Sequence, residues 1–130
     1  MSLFLQYSEW NLERMAAAQR MIVGEWHAMI PDSDGGYQGS GFEHIYFTFD
    51  ADGTFEFLLL NGGNGGEDAG EWKLQGGQGI VLDSPMRNPE SPDYNQHSGG
   101  MGPFWFDFKG SDTWLLNFGN TRIEFKRVLN

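Results

Sequence analysis

At 130 residues the chain is of single-domain length and long enough to bury a core. It has no cysteine, which excludes disulfides, thiolate metal sites and a cysteine nucleophile. Its net charge of −10 argues against a nucleic-acid partner, because a phosphate backbone would be repelled by most of the surface.

The start, Met1-Ser2-Leu3-Phe4-Leu5, lacks the basic and apolar regions of a signal peptide. No apolar run reaches the ~20 residues of a membrane span. A cytoplasmic protein is therefore expected. Ser8 reads as an N-cap, and residues 9 to 20 are rich in helix formers such as Leu12, Glu13, Met15 and Ala16 to Ala18. This short helix is only moderately amphipathic and depends on docking for its stability.

Alternation then replaces the helical period. Strand-length runs are expected at about 22–30, 42–49, 54–60, 70–75, 79–83, 102–109, 113–118 and 121–128. Pro31 stops the first, and the Gly-rich segment 32–41 is a loop. Asp50-Ala51-Asp52-Gly53 makes a hairpin turn, and Asn61 to Ala69 a second long loop. Gly76-Gly77 is a tight turn, and residues 84 to 101, with Pro85, Pro89 and Pro92, form the longest loop. Gly110-Ser111-Asp112 and Gly119-Asn120 connect the last three runs.

Eight antiparallel strands with sequential connections predict an all-β, up-and-down barrel with a short N-terminal helix, in one domain spanning 1–130 (helix about 9–20, barrel about 22–128). The three long loops then fall at one end and only tight turns at the other. The long-looped end is the expected functional mouth, since binding residues favour loops on a rigid scaffold. At the closed end, the first strand begins where the last one finishes. Arg127 is thus expected to lie over Trp26 as a structural cation–π seal beside Gly24.

Four pieces in this order resemble the calycin superfamily, specifically its small bacterial lipocalin-like domains. They are Gly24-Glu25-Trp26 after a helix, Phe49-Asp50-Ala51-Asp52-Gly53-Thr54-Phe55, Gly70-Glu71-Trp72-Lys73-Leu74 and Phe125-Lys126-Arg127. The resemblance covers about residues 22 to 128 and implies an eight-stranded barrel closed at one end, often with a small apolar ligand inside. The helix is longer than the short turn usual before Gly-x-Trp. Barrels of this kind host carriers, inhibitors and a few enzymes, so fold is implied more firmly than function.

The inward-facing set reads as Trp26, Ala28, Ile30, Ile45, Phe47, Phe49, Phe55, Phe57, Leu59, Trp72, Leu74, Ile80, Leu82, Phe104, Phe106, Phe108, Trp114, Leu116, Phe118, Ile123, Phe125 and Arg127. No carboxylate, histidine or serine is among them. So bulky a lining leaves a filled core or a small pocket under the long loops. Polar groups expected at the mouth are Tyr37, Glu43, Glu67, Asp68, Arg87, Tyr94, His97, Asn117, Asn120 and Arg122. Of these, Arg87, Tyr94 and His97 form the candidate anchor for a carboxylate or polar head group. Phe42, Leu59, Tyr94, His97 and Met101 are candidate lining, with Tyr37 beside them.

His27 and His44 point outward on neighbouring strands, without the third ligand a zinc site needs. Asp32-x-Asp34-Gly35 and Asp50-x-Asp52-Gly53 are turns, lacking the full calcium-loop pattern. No metal or cofactor is expected. Val81, Trp105 and Leu115 make an outward apolar patch to be covered by the helix or by a second copy in a homodimer. The leading functional expectation is binding of a small, mostly apolar molecule at the mouth. The alternative is a protein–protein interaction or inhibitor/immunity-type module with a solid barrel. An enzyme ranks last, because no nucleophile–base pairing is readable.

Overall fold

A computed structural model describes residues 3–63, 65–84 and 103–129, with residues 3–11 described as backbone only. One helix, α1 (Leu3–Ile22), precedes eight strands: β1 (Gly24–Pro31), β2 (Phe42–Phe49), β3 (Thr54–Leu60), β4 (Gly66–Gln75), β5 (Gly79–Asp83), β6 (Phe104–Phe108), β7 (Thr113–Phe118) and β8 (Thr121–Arg127). All neighbours are antiparallel, and the sheet closes on itself in the order β1 to β8. No helix among the described residues is long and apolar enough to cross a membrane.

The helix runs longer than its composition suggests. Ser8, expected at its start, lies inside it, because helical backbone already begins at Leu3. Its C-terminus is fixed by tertiary bonds. The Trp26 indole N–H donates to the Ile22 carbonyl at 2.8 Å, and the Arg127 guanidinium donates to the carbonyls of Met21 and Val23. Cationic donors at a helix end satisfy orphan carbonyls and oppose the negative pole of the helix dipole. Ala18 and Ile22 are buried, so the last turns of the helix close the base of the barrel. Within the outer apolar patch Trp105 is 54% exposed.

Period-two alternation places its apolar side chains inside as expected. Trp26, Ala28, Ile45, Phe47, Phe49, Phe55, Trp72, Ile80, Leu82, Phe106, Trp114, Leu116 and Phe125 are buried. Around Trp114 the rings of Trp26, Phe47, Phe49, Phe106 and Phe125 pack with centroids 5.0 to 6.0 Å away. Aromatic pairs at such spacing add about 0.5–1.5 kcal/mol each beyond their burial. The base of the barrel is thus a solid aromatic core.

Strand β4 departs from the expected organisation. It starts at Gly66 rather than near residue 70, so Glu67, Asp68 and Ala69, read locally as loop, are strand residues. The cause is non-local: Phe57 pairs with Asp68 and Leu59 with Gly66, which supplies a ladder that the polar segment cannot signal by itself. At Gly70 the backbones of β4 and β5 approach so closely that a Cβ would lie 2.1 Å from the Asp83 carbonyl oxygen. Only glycine fits there.

Candidate ligand-binding site

Burial inside the barrel changes along its axis. The packed rings of the base are buried, while Ile30, Phe57, Leu59, Phe104, Phe118 and Ile123, and at the other end Leu74 and Phe108, are inward-facing but only partly buried. Most of these sit near the strand ends that face the long connections. Phe104 and Phe118 pack at 5.1 Å, forming one wall of this apolar rim.

The longer β4 also changes the chemistry of the interior. Asp68 stands opposite Phe57 and Ser84 continues the inward register of Leu82, so both face in. The Ser84 hydroxyl donates to the Asp68 carboxylate at 3.0 Å, and Ser84 is 1% exposed. The Asp68 carboxylate also accepts from the backbone N–H of Ala69 at 2.9 Å. The inward set read from sequence contained no carboxylate and no serine. Local pattern does not reveal this pair, because Asp68 follows a glycine-rich run and Ser84 lies just past the end of β5.

Other expected site residues are distributed differently. Leu59 faces inward at the rim. Phe42 has the outward register of His44 and Tyr46, and is 36% exposed. Tyr37 lies in a single 3-10 turn, Tyr37–Gly39, of the β1–β2 connection. That connection folds back over the outside of the barrel, and the Tyr37 ring meets His44 edge-on at 6.2 Å. Arg87, Tyr94, His97 and Met101 lie outside the described residues. Trp105 stands opposite Gly79 and Leu115 opposite Asp107, so these two and Val81 do not share one cross-strand row.

The outer face of β1 to β4 carries a second constellation. Cross-strand rows run Glu25–Thr48–Glu56–Ala69 and His27–Tyr46–Leu58–Glu67, with Met29–His44–Leu60 beyond them. A cleft of about 990 Å³ lies here, lined by Glu25, Tyr46, Thr48, Glu56, Leu58, Leu60, Glu67 and Ala69, with Phe57 and Asp68 also at its wall. A smaller hollow of about 310 Å³ adjoins it between Tyr37, Gln38, Ser40, His44, Tyr46 and Leu60.

At its side His27 Nε2 and His44 Nδ1 are 2.9 Å apart, with ring planes only 6° from parallel. One ring's N–H donates to the other's lone pair. Tyr46 stacks on His27 at 4.5 Å. Burial, then the His44 charge, push the His27 pKa below the ordinary 6.5, with Glu25 opposing. Among the described residues no three His, Asp or Glu side chains are grouped to hold a metal ion.

At the closed end Arg127 lies 4.2 Å over the Trp26 ring and pairs with Asp112 at 3.3 Å. It also donates to the Ser111 carbonyl from Nε and Nη2 at 3.2 and 3.0 Å. A Cβ on Gly24 would stand 2.8 Å from its Nη1. These groups are committed to one another and tie the end of α1 to the closing seam. The chain matches no protein-family model and no curated protein.

Proposed function

We propose that this barrel, whose architecture is compatible with a lipocalin-like fold, binds a small, mostly apolar molecule at its open end. The observation that carries this reading is an apolar rim of Ile30, Phe57, Leu59, Phe104 and Phe118 that keeps accessible surface above a core of packed rings. Exposed apolar surface in a concavity is where a ligand gains most by displacing water. The Asp68–Ser84 pair supplies a polar contact within that rim, suited to a ligand hydroxyl or amine.

The test is native mass spectrometry of protein from a heterologous host, before and after denaturing extraction. It is followed by titration with the neutral fluorophore N-phenyl-1-naphthylamine. Saturable binding that is weakened by Leu59→Asn and altered by Ser84→Ala supports the reading. A bare mass together with no saturable probe binding overturns it.

A further inference from the structure

We infer that the outer face of β2 to β4 is a docking surface for a basic amphipathic helix of a partner protein. The cleft there has an apolar floor of Tyr46, Leu58 and Leu60, and Leu58 is 37% exposed. Glu25, Glu56 and Glu67 stand around it, and among the described residues no lysine or arginine lines it. None of these three glutamates has an ion-pair partner among the described residues. Carboxylates beside an apolar floor complement a partner that carries leucine-type side chains flanked by lysine or arginine.

The way the strands are paired selects the shape of that partner. The strands that carry the floor, β2 and β3, are hydrogen-bonded on both sides, so the floor offers no free edge to an added strand. A partner must dock through side chains, which is the helix-in-groove mode, with anchors about one turn apart. The proposal is independent of ligand binding at the mouth. Leu58 and Leu59 are consecutive but face opposite sides of the wall, so the two surfaces can be disabled separately.

The experiment is a titration of the full chain with a capped peptide of about 14 residues, leucine on one helical face and lysine on the other. It is followed by amide chemical shifts, with a leucine/glutamate peptide as control. Saturable binding is expected, with shifts centred on Tyr46, Glu56, Leu58 and Glu67. The Glu56→Lys/Glu67→Lys double variant should weaken it about tenfold, and Leu58→Asn by a similar factor, while Leu59→Asn leaves it unchanged. Both glutamates are exposed, so the double variant is expected to fold, and far-ultraviolet dichroism checks it. Absence of binding, equal binding of the glutamate peptide, shifts centred elsewhere, or insensitivity to the double charge reversal would each overturn the proposal.

Discussion

Arg127 lies 4.2 Å over the indole of Trp26, and the two residues are also directly opposite each other where β8 closes onto β1. The same guanidinium reaches carbonyls at the end of α1 and at the β6–β7 turn. One side chain therefore ties the helix, both sides of the closing seam and a hairpin together. This seam is short, with Trp26↔Arg127 and His27↔Lys126 as its register pairs, so these bonds carry much of the closure.

Arg127→Ala is expected to lower unfolding free energy by roughly 3 kcal/mol, since it removes charged hydrogen bonds and a cation–π contact together. Arg127→Lys should fall between the two, because an ammonium keeps the charge but not the planar fork. Urea unfolding checks this: the midpoint should drop in the order wild type, Lys, Ala, with the slope unchanged.

Gly70→Ala should destabilise by roughly 2–3 kcal/mol or prevent folding, as the new methyl meets the backbone of β5. Gly66→Ala, on the same strand with nothing near its Cβ position, should stay within about 0.5 kcal/mol of wild type. Equal effects at the two sites would show that close approach of β4 and β5 is not what selects glycine at position 70.

The histidine pair sets a pH dependence. Burial and then His44 hold His27 below the 6.5 it has in an unfolded chain, so the unfolded state takes up the proton first. The stability linked to His27 is therefore fully present above pH 6.5, declines as pH falls through that value, and levels off once folded His27 is protonated as well. Histidine ring shifts between pH 4.5 and 8 measure this directly. His44→Gln should move the His27 pKa part of the way back up and flatten the stability profile.

In the β2–β3 hairpin, the Thr54 hydroxyl donates to Asp52 Oδ1 at 2.6 Å and the Thr54 backbone N–H donates to it at 3.0 Å. These bonds, the hydroxyl first, hold the Asp52 carboxyl below its usual value. Thr54→Val should raise that pKa towards 3.8 in a carboxyl titration followed by NMR. Because the folded value is the lower one, any stability linked to Asp52 is present above the unfolded pKa and lost as pH falls through the folded value.

Much of this barrel is written locally. Alternation in Ile45-x-Phe47-x-Phe49 or Trp114-x-Leu116-x-Phe118 decides which side chains go in, because strand geometry points successive residues to opposite faces. Turn residues such as Asp52-Gly53 end the runs with bonds to near neighbours. The two Gly-Glu-Trp triplets also share one logic. Each glycine admits a close neighbour, Arg127 at one and the β5 backbone at the other, and each tryptophan donates its N–H to a carbonyl, of Ile22 or Asp50.

What tertiary structure decided lies where local signals are weak or contrary. Glu67-Asp68-Ala69 is polar and follows a glycine-rich run, so only pairing with Phe57 and its neighbours makes it a strand and turns Asp68 inward beside Ser84. The loop after Pro31 is equally legible as a loop, yet its path over the outside, bringing Tyr37 to His44, depends on contacts with β2. The acidic outer cleft is likewise assembled from four strands, spread from Glu25 to Ala69. Such groupings depend on register between distant segments, and no stretch of sequence short enough to be read as a motif contains them.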